Sequence, residues 1–195
     1  KNKLYAFEPL KENLKYLRQI SKKDKNFEFK SVALGNKKSH FFIYTPFYKG
    51  KYINNFSSFS KKECKENFKV NNFNIDLKNL KFKKTLVKQE TLDSFNFIPS
   101  LIKIDVEGYE KNVLYGAMKT IKKSKPILYV ENNKRKFDTA TYFQKQLLKH
   151  GYKAYIFNAD SSCFDAYDVR KKKSRFYSYN VFFLPDKKVS SKLLP

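Results

Sequence analysis

The amino-acid sequence predicts a layered α/β fold with a mostly parallel sheet and an antiparallel edge. Short apolar runs alternate with amphipathic stretches of ten or more residues, the order produced when helices cross over between parallel strands. Several runs also finish on an acid: residues 4–7 lead into Glu8, residues 101–106 contain Asp105, and residues 127–130 lead into Glu131. Ligands of open α/β sheets bind beyond the carboxyl ends of the strands, so acids gathered there mark a candidate site.

In chain order, residues 4–7 form a strand and Pro9 opens a helix, where a missing N–H costs nothing. Leu10, Leu14, Leu17 and Ile20 give that helix its core stripe. Residues 27–34 read as the next strand, closed by Gly35-Asn36, with residues 41–44 as its hairpin partner. Residues 49–88 hold scattered aromatics without a sustained period and read as an irregular insertion, with a short helix near 61–68 and a strand near 85–88.

The central block, residues 101–131, reads LIKIDVEGYEKNVLYGAMKTIKKSKPILYVE. Leu101, Ile102, Ile104 and Val106 suggest a strand buried on both faces. Gly108 then permits a tight turn, and Val113, Leu114, Ala117, Met118 and Ile121 give one helix an apolar face. After the second strand, a polar loop leads to a helix capped by Asp138 or Thr139, with Phe143, Leu147 and Leu148 inward and Gly151 at its end. Residues 153–157 and 179–184 read as closing strands, with the lysines at 171–173 in an exposed loop.

A length of 195 residues suits one domain. The 41% hydrophobic and 17% aromatic content exclude general disorder. Cys64 and Cys163 lie far apart without metal-ligand spacing and read as reduced thiols of a cytoplasmic protein. No apolar run reaches the roughly 20 residues that span a bilayer. The net charge of +24 invites a nucleic-acid reading, but the lysines are spread along the chain and arginine occurs only at positions 18, 135, 170 and 175. Dispersed charge of this kind is a solvated surface, and any attraction to acidic glycans or anionic lipid would be salt-dependent.

Three segments, LYAFEPLKENL, SVALGN and IKIDVEGYE followed by ILYVEN, together with TLDSF before the third, resemble the FkbM family of S-adenosylmethionine-dependent methyltransferases. The resemblance implies a Rossmann-like class I methyltransferase sheet. It implies S-adenosylmethionine as cofactor and, as acceptor, a hydroxyl of a sugar, a glycan or a similar polar metabolite, in a setting such as glycan biosynthesis. Glu8 would accept hydrogen bonds from the ribose hydroxyls, and Ser31, Val32 and Ala33 would flank the adenine. Asp105 would face both cofactor and acceptor as a general base or orienting group. Glu107 and Glu131 would complete the acidic cluster. A divalent metal held with Asn132 is compatible with such oxygen ligands but is not expected, and Glu110 would serve the helix N-terminus.

The chain departs from the family pattern in one respect. Its glycines stand at 35, 50, 108, 116 and 151, too far apart to form the glycine-rich turn that holds the cofactor's amino-acid end. The expectation is a partial domain that begins after the first strand, exposes apolar strand edges where that central strand would lie, and binds cofactor weakly or not at all. The alternative reading is a non-catalytic α/β domain that binds an acidic glycan or RNA through its basic surface. A nucleic-acid methyltransferase is disfavoured, because the chain has no Asn/Asp-Pro-Pro-aromatic motif.

Overall fold

The computed structural model describes residues 2–70, 75–132, 139–167 and 180–186. The chain divides into two compact units, Lys1–Ala33 with Lys37–Glu90, and Leu34–Asn36 with Thr91–Pro195. Each has its own core.

In the first unit, β1 (Leu4–Phe7) and β2 (Phe27–Lys30) pair in parallel, with Leu4 opposite Phe27 and Phe7 opposite Lys30. Helix α1 (Lys11–Lys23) connects them, the crossover that parallel pairing demands. Leu10 and Leu14 are buried, but Ile20 is exposed, so the apolar stripe is shorter than its sequence spacing suggests.

A second sheet has the order β3-β6-β4-β5, formed by β3 (Ala33–Leu34), β4 (Ser39–Tyr48), β5 (Lys51–Tyr52) and β6 (Lys81–Glu90). Strand β4 pairs antiparallel with β6 from Ser39↔Gln89 to Phe47↔Lys81. Residues 41–44 therefore do not partner 27–34 as the sequence suggests. One face of this pair supplies Ile43 and Val87, which pack with Leu10 and the half-buried Phe41.

Most of the described part of segment 49–88 is also regular. Helix α2 (Lys61–Val70) buries Cys64 and Phe68, and β6 is far longer than the strand expected near 85–88. Lysines at 81, 83, 84 and 88 mask the alternation of β6.

In the second unit, β7 (Leu101–Ile104) and β8 (Ile127–Glu131) are parallel and in register from Leu101↔Ile127 to Ile104↔Val130. Strand β11 (Asn180–Pro185) lies antiparallel between β8 and β9 (Tyr152–Asn158), and β10 (Cys163–Ala166) pairs antiparallel with β9. The order is β10-β9-β11-β8-β7. The β1–β2 and β7–β8 pairs are parallel, whereas β4–β5, β4–β6, β8–β11, β9–β11 and β9–β10 are antiparallel, so the sheets are mixed and not mostly parallel. The β9–β10 connection, too short for a crossover, enforces an antiparallel hairpin. Strand β7 ends its sheet, and Leu101 is 53% exposed, in contrast to the strand buried on both faces that its composition suggests.

The predicted central helix is two helices, α3 (Glu110–Tyr115) and α4 (Met118–Ser124). They break at Gly116, where a Cβ would overlap the Gly35 carbonyl oxygen and lie 2.9 Å from its carbon. Asp93, from the TLDSF segment, holds the break. Its N–H donates to the Gly116 carbonyl at 2.9 Å, and its carboxylate accepts from the N–H groups of Lys119 at 3.0 Å and Thr120 at 2.7 Å. These bonds satisfy amides at the start of α4 that have no partner within the helix. Val113, Leu114, Ala117 and Ile121 are buried as their spacing predicts.

Helix α5 (Thr139–Leu147) buries Phe143 and Leu147, but a 3-10 turn begins at Leu148 and leaves that residue 60% exposed. Gly151, at φ +71°, ends the turn. Leu128, Val130, Val181 and Phe183 line up with these helical side chains to form the core of this unit. The lysines at 171–173, Tyr179 and Asp138 lie outside the described residues.

Candidate functional site

Strand β7 stops at Ile104, and the chain turns sharply before α3. Within that turn Glu107 has φ +55° and Gly108 φ +99°. Gly108 has no Cβ to clash in this region, whereas an L-residue such as Glu107 pays about 1–2 kcal/mol there. Strain of this kind persists only where surrounding bonds impose it. Glu110 imposes it here: the residue is 1% exposed, and its Oε1 accepts hydrogen bonds from the N–H groups of Gly108 at 2.9 Å and Val106 at 3.3 Å. Sequence reasoning gave Glu110 only a helix-terminus role. Its position two residues beyond a turn glycine was the available signal.

The turn exposes Asp105 and Glu107. Asp105 forms an ion pair with Lys103 at 3.0 Å, both side chains being substantially exposed. On the neighbouring parallel strand, Val130 lies opposite Ile104, so the acids that follow, Asp105 and Glu131, stand at the same level at two adjacent strand ends. Adjacent strands lie about 4.8 Å apart, which brings these two predicted site residues together. Glu131 is half-buried and pairs in register with Asn180 of β11.

Asn132 has a structural task. It is buried, its Oδ1 accepts from the Ala140 N–H at 3.1 Å at the start of α5, and its Nδ2 lies 3.4 Å from the Tyr167 hydroxyl. Among the described residues, no group of three His, Cys, Asp or Glu side chains is arranged to hold a metal.

The remaining predicted residues gather in the first unit. Glu8 follows β1 directly, and its N–H donates to the Lys30 carbonyl at 3.1 Å, which extends the β1–β2 ladder by one residue. Its Oε1 accepts from the Leu10 N–H at 2.7 Å at the entry to α1. A carboxylate has about four acceptor sites, so this anchored group retains capacity for a further pair of hydroxyls. Ser31 is exposed at the end of β2, whereas Val32 and Ala33 are buried. Glu8 and the segment 31–33 thus meet at neighbouring strand ends.

Both units therefore place acids at the carboxyl ends of paired parallel strands, the arrangement of an α/β protein that binds ligands at strand ends. The family model for the methyltransferase FkbM domain matches residues 1–154, and the chain belongs to that family. A methyltransferase FkbM from Methylobacillus flagellatus KT, known from a crystal structure, is similar in fold, with a TM-score of 0.51 and 14% sequence identity. The match covers 93% of this chain and 36% of that one, so the chain spans about a third of its structural neighbour. No curated protein matches the chain. Among the described residues, no helix is long and apolar enough to cross a membrane.

Proposed function

We propose that this chain is part of an S-adenosylmethionine-dependent methyltransferase that modifies a hydroxyl of a sugar, a glycan or a similar polar metabolite. The observation that carries the proposal is the pair Asp105 and Glu131, level at the ends of adjacent parallel strands in a chain of the FkbM family.

The residues fit the cofactor in part. Glu8, fixed at a strand end by its bond to the Leu10 N–H, suits a ribose diol. Val32 and Ala33 supply an apolar strand end for adenine. None of the five glycines lies near enough to another in the sequence to form a glycine-rich turn for the amino-acid end.

When bound, the cofactor supplies an electrophilic methyl group. Asp105 takes the hydroxyl proton at its carboxylate, and Lys103 beside it balances the charge that Asp105 carries beforehand. Glu107 and Glu131 accept hydrogen bonds from neighbouring hydroxyls and hold the acceptor in line, a requirement for displacement at least as demanding as the base. The test is transfer of a radiolabelled methyl group to a panel of hydroxyl-bearing glycans. Asp105→Asn is expected to abolish or strongly reduce transfer by the intact enzyme. Unchanged turnover would remove Asp105 from the chemistry, and label recovered only in nucleic acid would overturn the choice of acceptor.

A further inference from the structure

The outward face of the β4–β6 pair carries a second set of residues that methyl transfer does not use. Cross-strand partners project to the same side of a sheet. His40↔Lys88, Phe42↔Leu86 and Tyr44↔Lys84 therefore share the face opposite to the Ile43–Val87 core. Phe42 is 42% exposed and Leu86 58%. Together they form an exposed apolar centre on this face.

Cations surround that centre. The Lys84 ammonium lies 3.8 Å from the centroid of the Phe42 ring, and Lys61 of α2 lies 5.8 Å from that of Tyr44. Lys49 at the β4–β5 turn lies 5.5 Å from the Tyr48 ring. The acids nearby are few and occupied: Glu90 pairs with Lys88 at 2.8 Å, and Glu63 accepts from the Ser58 hydroxyl. Residues 37–90 hold thirteen lysines and no arginine against four acids.

We infer that this face docks on the surface of an anionic phospholipid bilayer. Exposed Phe and Leu partition into the headgroup boundary, Tyr favours the same depth, and lysine stems lie along apolar surface while their ammonium groups remain at the phosphates. Single-stranded nucleic acid fits less well. Base stacking needs open aromatic faces, and Lys84 already covers Phe42. The absence of arginine also removes the bidentate phosphate ligand. The surface inference is independent of the methyl-transfer proposal.

The test is co-sedimentation of the full 195-residue chain with phosphatidylcholine vesicles, with and without phosphatidylserine, at rising salt. Binding is expected only with phosphatidylserine and is expected to weaken with salt. The double variant Phe42→Ala/Leu86→Ala should weaken it about tenfold, and Lys84→Ala about fivefold, with unfolding midpoints unchanged because these side chains are exposed. Binding that ignores phosphatidylserine or survives the double variant would overturn the inference. Tighter binding to poly(U) than to the vesicles, lost in the same variants, would assign the face to single-stranded nucleic acid instead.

Discussion

Replacing Glu110 by alanine removes the carboxylate that holds the turn after β7, and the structure sets the size of the effect. Two backbone N–H groups lose a charged acceptor, Gly108 at 2.9 Å and Val106 at 3.3 Å. A hydrogen bond to a charged group contributes about 1.5–3 kcal/mol. The Val106 bond is long, and Gly108 is exposed, so water replaces part of its partner. Release of Glu107 from φ +55° returns about 1 kcal/mol. The net expectation is a loss of about 2 kcal/mol. Glu110→Gln keeps a carbonyl acceptor in place and should lose about 1 kcal/mol or less. Urea denaturation measures both, and amide hydrogen exchange at Gly108 localises the change to the turn. Wild-type stability in the alanine variant, or equal losses in both variants, would refute the assignment of Glu110 as the anchor of this turn.

Gly116→Ala tests the close approach to Gly35. Gly116 has φ −76°, where alanine is comfortable and would restrict the unfolded chain, a gain of about 0.4–1 kcal/mol. The overlap with a backbone carbonyl should prevail and destabilise by about 3 kcal/mol. That corresponds to a fall in melting temperature of about 6–12 °C in calorimetry. His150 gives a pH dependence: burial, reinforced by Lys122, Lys125 and Lys149, lowers its pKa, and its Nε2 is buried without a partner among the described residues. The unfolded chain then takes up the proton first. Stability is full above the ordinary histidine value of about 6.5 and falls as pH drops from there toward the lower folded value. Urea midpoints measured across that window should be flatter in His150→Gln.

Where local chemistry decided the outcome, the sequence was legible. The strand–acid–helix order of residues 4–23, the acids of the central block and the buried set Val113, Leu114, Ala117 and Ile121 all follow from spacing. Partners distant in sequence were not legible. Nothing local to residues 39–48 says that they pair with 81–90, and lysines on β6 hide its inward Val87 and Gln89. The helix break at Gly116 depends on Gly35, eighty-one positions earlier, and on capping by Asp93. Asn132 supports the start of α5 from eight residues upstream, where its buried amide reaches the Ala140 N–H, a contact that no local cap signal announces. In the candidate site, the acids could be read, but the bond from Glu110 that shapes their turn could not, since it depends on a backbone path with positive φ at Glu107 and Gly108.

The proposal that the end of β1 holds the ribose of S-adenosylmethionine is tested by calorimetric titration of the cofactor into the 195-residue chain and its Glu8→Ala variant. Weak, saturable binding by the chain is expected, because its five glycines are too far apart in sequence to form a glycine-rich turn for the amino-acid end. Removal of two hydrogen bonds to a carboxylate should weaken it about a hundredfold or more in the variant. Equal binding by the two proteins would remove Glu8 from the cofactor site.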